Sequence, residues 1–194
     1  MTSLALIRHG PTAWSREHRL QGRADLGLDA AGRAAVKAWR LPPDIAARQW
    51  LVSPLARAVE TAALLGLAAR PEPRLVEMDW GEWEGRRPEE LRSSEPGFAA
   101  QETRGLDLEP PGGESPRAVQ ARVLPLLAEL GAERAPVGAL THKGVIRAVL
   151  ALATGWDMRG KAPARLLWDA LHLFELDAAG RPRVQRLNLL LVAA

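Results

Sequence analysis

Two histidines, His9 and His142, each stand at the end of a short apolar run that is typical of a buried strand. Arg57 lies four residues after a third such run, residues 50–53. In open α/β sheets, the carboxyl ends of the strands form the crevice that binds ligands. The spacing therefore predicts that these three side chains meet at one edge of a sheet.

Their side-chain types suit the binding and transfer of a phosphoryl group. A guanidinium can donate two parallel hydrogen bonds to phosphate oxygens, and a neutral imidazole nitrogen can attack phosphorus. Taken alone, a histidine at a strand end is more often structural, because short motifs have a high rate of false matches. The coincidence of three strand ends favours a phosphate site.

The composition limits the classes of protein to consider. A chain of 194 residues with 47% hydrophobic content can bury one core. No run of eighteen apolar residues occurs, so no membrane span is expected, and residues 1–7 are too short and too soon followed by Arg8 for a secretory signal. The absence of cysteine excludes disulfides and thiolate metal sites, so a cytoplasmic protein is expected.

The basic character of the chain does not indicate a nucleic-acid partner. The sequence pI is about 10.1, yet the net charge is only +3. Arginine accounts for 23 of the 26 basic residues, and because it stays protonated at very high pH the pI exaggerates the charge at neutral pH. The arginines are also dispersed among acidic residues. We therefore expect no nucleic-acid binding.

Strand patterns alternate with helix patterns along the chain, which predicts an α/β fold with a mainly parallel sheet. The loop through residue 27 is rich in glycine and is predicted to contain no helix. Asp29 and Ser115 are placed to cap helices. The predicted strands span residues 3–8, 50–53, 136–140, 171–176 and 183–187, and the predicted helices span 30–40, 55–65, 88–93, 116–130 and 144–153. We expect a single domain over residues 1–194, with a lid-like excursion at about 78–114.

The motif Leu6-Ile7-Arg8-His9-Gly10, followed by Thr12 and Trp14, resembles the signature of the histidine phosphatase superfamily in its phosphoglycerate mutase-like branch. Further blocks continue the resemblance in the same order from residue 4 to about 150, and this shared order makes it specific. They are Leu20-Gln21-Gly22, residues 28–32, residues 53–58 with Thr61, Glu77 within 75–85, residues 111–115, and Thr141-His142-Lys143-Gly144. The resemblance implies a three-layer sandwich around a mixed, mainly parallel sheet.

The resemblance also implies roles for the catalytic residues. His9 would be the nucleophile that forms a phosphohistidine, and Arg8, Arg57 and His142 would hold the phosphoryl oxygens. With these fixed charges, neither a metal nor another cofactor is expected. Glu77 matches the proton donor, which would protonate the leaving oxygen and then activate water.

Several further residues are candidates for substrate binding. Gln21, and Thr12 or Ser15, would add neutral hydrogen-bond donors, and Glu82 is the second candidate for the proton donor because it lies close to Glu77 in sequence. Lys143 is a further candidate for substrate binding, and it stands where the family more often has glycine. Pro11 replaces an acidic residue and Ser15 replaces a frequent asparagine, so these departures from the family leave the substrate open.

Three activities fit these residues. The expected one is hydrolysis of a small-molecule phosphate monoester, and the alternatives are a phosphoglycerate-type mutase and a binding module without catalysis. Between Glu82 and Arg117, nine acidic residues face five arginines, a net charge of −4. Such an acidic lid should disfavour a second phosphate group, which is one reason to expect hydrolysis. The physiological substrate and the oligomeric state stay open.

Overall fold

Six strands form one sheet in the order β3-β2-β4-β1-β5-β6 in the computed structural model, which describes residues 1–191. Strands β1 to β4 run parallel to one another, whereas β5 pairs antiparallel with both β1 and β6. The expected mixed, mainly parallel sheet is confirmed. The strands are β1 (Thr2–Arg8), β2 (Gln49–Val52), β3 (Ala69–Pro71), β4 (Val137–Thr141), β5 (Ala170–Leu176) and β6 (Pro182–Leu190).

Helices cover both faces of this sheet. Successive side chains of a strand point to opposite faces, and β1 shows the consequence. Leu4 and Leu6 pack in a core with the long helices α7 and α8, whereas Ala5 and Ile7 pack in a core with α2 and α3. The helices are α1 (Ala13–Arg16), α2 (Ala30–Ala38), α3 (Pro43–Ala46), α4 (Ala56–Leu64), α5 (Pro88–Ser94), α6 (Phe98–Glu102), α7 (Pro116–Glu133) and α8 (Lys143–Thr154).

Four short elements differ from the sequence-based expectation. Helix α1 occupies part of the loop that was predicted to contain no helix, and α3, α6 and β3 were not predicted. Strand β3 has three residues, Ala-Arg-Pro, at the edge of the sheet, and its side chains are largely exposed. None of these elements is long enough to display a hydrophobic period. The long elements could be predicted because each of them repeats its hydrophobic period several times.

The excursion at residues 78–114 has a small core of its own. Helices α5 and α6 pack together with short 3₁₀ turns at Gly81–Trp83 and Gly105–Asp107. Trp83, Leu91 and Phe98 form its buried centre, and the rings of Trp83 and Phe98 meet edge to face at 4.7 Å.

No helix within residues 1–191 combines the length and hydropathy that a membrane crossing requires.

Candidate active site

The three predicted strand ends meet at one edge of the sheet. His9 directly follows β1, His142 directly follows β4, and Arg57 lies in the first turn of α4, just after β2. Because β2, β4 and β1 are neighbours in the sheet, the side chains converge. The rings of His9 and His142 lie 5.1 Å apart between centroids.

The surroundings of His9 fix its tautomer. Its Nδ1 lies 2.7 Å from the carbonyl oxygen of Gly10, which can only accept, so Nδ1 carries the proton. Its Nε2 accepts a hydrogen bond of 3.2 Å from Nε of Arg57, and therefore carries the lone pair. Burial, with Arg8 and Arg57 nearby, holds the pKa of His9 well below its usual range. The ring is thus a neutral imidazole with a nucleophilic nitrogen.

Arg57 is fixed by the loop that precedes α2. Its Nη1 donates to the carbonyl oxygen of Ala24 at 2.9 Å, and its Nη2 donates to that of Gly22 at 2.7 Å. The side chain is fully buried. Since a planar guanidinium with two anchored nitrogens has little freedom, the third contact, with His9, is rigidly placed.

His142 is held in a similar way by Ser53. Its Nε2 lies 2.6 Å from the hydroxyl oxygen of Ser53, which itself accepts the backbone N–H of Leu55 at 3.4 Å. When the hydroxyl hydrogen is donated to Nε2, the imidazole proton lies on Nδ1. Burial, followed by His9 and Arg57, keeps the pKa of His142 well below its usual range.

Three buried polar atoms of this region have no hydrogen-bond partner among residues 1–191. They are Nε of Arg8, Nε2 of Gln21 and Nδ1 of His142. Buried polar atoms are almost always satisfied, and all three of these are donors in the tautomers described. A group of unsatisfied donors beside a nucleophilic nitrogen fits the oxygens of a phosphoryl group.

Thr12 and Ser15 position Gln21. A cavity lined by His9, Arg57 and Gln21 opens at this edge of the sheet, and Thr12 is buried outside it. The hydroxyl of Thr12 donates to the amide oxygen of Gln21 at 2.8 Å, so the amide nitrogen points elsewhere. Ser15 lines the cavity, but its hydroxyl accepts from the backbone N–H of Thr12 and donates to its carbonyl oxygen, at 2.8 and 2.9 Å. The pair also caps α1. Of these three residues, Gln21 is the one with a free donor.

Glu77 is a carboxylate that lines the same cavity as His9. Its carboxylate accepts the backbone N–H groups of Met78 at 2.8 Å and of Gly144 at 3.0 Å. Burial raises the pKa of Glu77, and these two N–H groups and Arg57 only partly offset that effect. A β-carbon on residue 144 would collide with the carboxylate, so a larger residue there would displace Glu77 from this position.

The nearby acidic residues are engaged elsewhere. Glu82 is exposed and does not line the cavity, so the structure does not bring it to His9. Asp79 accepts the backbone N–H of Gly81, and Glu84 accepts those of residues 23 and 24. Of the four carboxylates from residue 77 to 84, Glu77 is the one in the cavity.

The cavity has a volume of about 800 Å³ and a surplus of positive charge. The ring of Trp168 forms part of its wall, with the guanidinium of Arg8 at 5.6 Å and Nζ of Lys143 at 5.5 Å from the ring centroid. Pro11 does not line it. Three acidic residues (Glu77, Glu89, Glu102) and six basic residues (Arg8, Arg19, Arg57, Arg92, Lys143, Arg147) do.

The expectation of an acidic lid is not supported by this arrangement. Of the nine acidic residues between 82 and 117, only Glu89 and Glu102 line the cavity, and Glu102 is paired with Arg92 at 2.6 Å. The others include Glu95, Asp107 and Glu114, which pair with arginines away from the cavity. The net charge of the segment did not reveal this, because it does not record where each charged side chain points.

Trp168 and Arg147 also belong to the cavity, and sequence reasoning missed both. Arg147 follows Lys143 by four residues on one helix, so helical spacing could have placed it on the same face. Trp168 precedes β5 in an irregular segment, and no local pattern distinguishes it. The structure holds no group of three or more potential metal-binding side chains within residues 1–191.

Comparison with known proteins agrees with this geometry. The model of the histidine phosphatase superfamily (branch 1) matches residues 4–189. Glucosyl-3-phosphoglycerate phosphatase of Mycobacterium tuberculosis is 35% identical over 76% of this chain and 73% of its own. A phosphoglycerate mutase from Thermus thermophilus superposes with a TM-score of 0.74 and 34% identity, covering 97% and 99% of the two chains. A mycobacterial hydrolase superposes with a TM-score of 0.81 and 28% identity, covering 100% and 99%.

Proposed function

Because the chain belongs to branch 1 of the histidine phosphatase superfamily, we propose that it is a phosphatase that hydrolyses a small-molecule phosphate monoester through a phosphohistidine on His9. The observation that carries this proposal is the neutral His9, whose Nε2 lone pair lies beside Arg57 in a cavity rich in positive charge. The neighbouring unsatisfied donors add to it. The relative named as a phosphatase supports hydrolysis as the outcome.

In the first step, Nε2 of His9 attacks phosphorus, and the bond from phosphorus to the ester oxygen breaks. Glu77, whose pKa is raised by burial, donates its proton to the leaving oxygen. Charge on the three equatorial oxygens is stabilised by Arg8, Arg57 and His142, with the amide of Gln21. Such preorganised donors are commonly the largest single contribution to catalysis.

In the second step, Glu77 is a carboxylate and removes a proton from water. The resulting hydroxide attacks phosphorus, the bond between phosphorus and Nε2 breaks, and inorganic phosphate leaves. Glu77 has then regained its proton and His9 is again neutral. The fixed cations neutralise the phosphoryl charge throughout, so the proposed mechanism uses no metal and no cofactor.

A mutase would use the same phosphohistidine but pass the group to an alcohol instead of water. The structural relative named phosphoglycerate mutase makes this the second candidate. The excursion at residues 78–114 is shorter than the family resemblance implies for mutases, but the named mutase aligns with 97% of this chain and 99% of its own, so the length of the excursion fits both candidates. We propose that this excursion acts as a lid within a single domain, since Pro88, Glu89 and Leu108 line the cavity.

The experiment is turnover of 4-nitrophenyl phosphate by protein treated exhaustively with EDTA. We expect undiminished hydrolysis, and rapid quenching should trap an acid-labile phosphoryl adduct on His9 by mass spectrometry. His9→Ala should lose both turnover and adduct. His18→Asn is the matched control, because His18 lies at the outer cavity with a φ of 58°, which asparagine tolerates.

Two results would reject the mechanism: robust turnover by His9→Ala, or activity that only added metal restores. Binding of phosphate without any turnover would favour the binding module. Incubation with a phosphoglycerate distinguishes the remaining pair, since a phosphatase releases inorganic phosphate whereas a mutase yields the isomeric ester.

A further inference from the structure

Two cations outside the phosphoryl cradle project from one face of α8. Lys143 and Arg147 are one helical turn apart, and both line the cavity. Neither takes part in any of the ion pairs found within residues 1–191. Lys143 and Arg147 are thus two adjacent cations at the cavity wall whose charges no acidic side chain within residues 1–191 pairs with at salt-bridge distance.

Tryptophan rings support both cations. Nζ of Lys143 lies 5.5 Å from the centroid of Trp168, and the guanidinium of Arg147 lies 4.9 Å from that of Trp156. Contact with an aromatic face holds a cation in place while leaving its N–H donors free for other partners. Lys143, Arg147 and Trp168 also line a second cleft of about 290 Å³, so the cavity continues past them.

The positive charge of Arg147 acts on Lys143 across one helical turn. The pKa of Lys143 is lowered by desolvation against the cavity walls, and further by Arg8 and Arg147; Glu77 is the acidic group that acts in the opposite direction. Desolvation likewise lowers the pKa of Arg147. Glu77 already accepts two backbone N–H groups. An anion placed between Lys143 and Arg147 would relieve this repulsion.

We propose that Lys143 and Arg147 bind a second anionic group of the substrate, carried by the leaving side of the phosphate ester. The substrate class is therefore a phosphate monoester whose alcohol part bears a carboxylate or a further phosphate. This inference rests on the proposed function, because the scissile phosphoryl group is placed at His9. The second anion lies further along the cavity, toward the cleft beside Trp156.

The test is calorimetric binding of phosphonates, which cannot be hydrolysed. Alkylphosphonates of several chain lengths are compared with partners that end in a carboxylate and with bisphosphonates of the same length. We expect one terminal anion at a matching length to tighten binding at least about tenfold, the effect of one hydrogen bond to a charged group. The better of the two anions identifies the substrate class.

Lys143→Met and Arg147→Met should each remove most of this gain. Lys161→Met is the matched control, since Lys161 is exposed and lines neither cavity, and it should keep the gain. Melting curves show whether each variant is folded, and two independent variants guard against the failure of one.

Three results would overturn the inference. No chain length gains from a terminal anion, the gain persists in both variants, or the variants weaken alkylphosphonates as much as their anionic partners. The last result would place both cations on the scissile phosphoryl group itself. Phosphonate binding does not require turnover, so an inactive protein with the expected gain would contradict the proposed function and leave this inference standing.

Discussion

Burial moves the pKa values of His9 and Glu77 in opposite directions, and both movements serve the proposed chemistry. The nucleophile must be neutral, and burial beside two arginines lowers the pKa of His9. The proton donor must hold its proton near neutral pH, and burial raises the pKa of Glu77. One physical cause, the removal of water, therefore prepares a base and an acid at the same site.

Glu77→Gln should distinguish esters by their leaving groups. A poor leaving group such as an alkoxide needs the proton, whereas nitrophenolate does not, so kcat/KM should fall about 10²- to 10⁴-fold more for alkyl esters. Steady-state kinetics on both ester types measures the contrast. Glu82→Gln is the control, because Glu82 is exposed outside the cavity. Equal losses on both esters in Glu77→Gln would remove Glu77 from the role of acid.

The same substitution should alter stability in a pH-dependent way. With its pKa raised in the folded state, Glu77 contributes stability below the ordinary carboxyl pKa, and this contribution is lost as pH rises through the raised value. Glutamine cannot ionise. The Tm of Glu77→Gln relative to the parent should therefore increase between about pH 4 and about pH 8. A Tm difference that is constant with pH would show that the pKa of Glu77 is not raised.

The principal site residues could be predicted from the sequence because each follows a strand whose apolar run is easy to see. His9, Arg57 and His142 are of this kind. Sequence alone did not give the indirect role of Thr12, whose hydroxyl is used on Gln21. Nor did it give the position of Trp168, which depends on how an irregular segment folds back onto the cavity.

At the level of elements, the start of α7 holds the segment that carries Glu77. Arg122 of α7 donates to the carbonyl oxygens of Arg74 and Val76 at 2.5 and 2.7 Å, and pairs with Glu114 at 2.8 Å. The backbone N–H of Glu114 donates to the carbonyl oxygen of Asp79 at 2.9 Å. The backbone on both sides of Glu77 is thus hydrogen-bonded to the ion pair of Arg122 and Glu114.

Arg122→Met should therefore reduce both stability and catalysis. Losing hydrogen bonds from a partly buried charge should lower the free energy of unfolding by about 2–3 kcal/mol, measured by urea denaturation. Activity toward alkyl esters should fall more than activity toward nitrophenyl phosphate, since Glu77 loses its support. Arg117→Met is the control, because its pair with Asp107 is exposed and should contribute little. If both variants lost the same stability, the support would not come from this pair.

Long elements were predicted to within a few residues, and short ones were not. Helix α7 was recognised from Ser115 and Pro116 at its start, and the structure shows that cap. Helix α1 has four residues and depends on the reciprocal hydrogen bonds of Thr12 and Ser15. A single turn of this kind leaves no repeated pattern, and the surrounding glycines and prolines pointed to a loop.

For the whole molecule, the placement of the charged side chains matters more than the net charge. The net charge is only +3, yet twice as many basic as acidic residues line the cavity beside His9. Four of the nine acidic residues between 82 and 117 form ion pairs with arginines of the same segment. The field that a substrate meets is therefore more positive than the lid sequence suggests.

This field should make catalysis sensitive to salt. Raising NaCl from about 0.02 M to about 0.5 M shortens the screening length to a few ångströms, so kcat/KM for a dianionic ester should fall several-fold. Initial-rate assays at both NaCl concentrations measure the fall in kcat/KM, with an uncharged osmolyte as the control. No change with salt would mean that only direct contacts, and not the wider cavity, attract the substrate.

The unsatisfied donors of Arg8, Gln21 and His142 also bear on how the protein survives heat. Each buried polar atom without a partner costs about 1–3 kcal/mol of folding free energy. An anion that binds them binds the native state alone, and at a hundred times its Kd it adds about 2.7 kcal/mol to stability. Inorganic phosphate, the product of the proposed reaction, thereby becomes a protectant. The enzyme should resist thermal inactivation and proteolysis best where its own product accumulates.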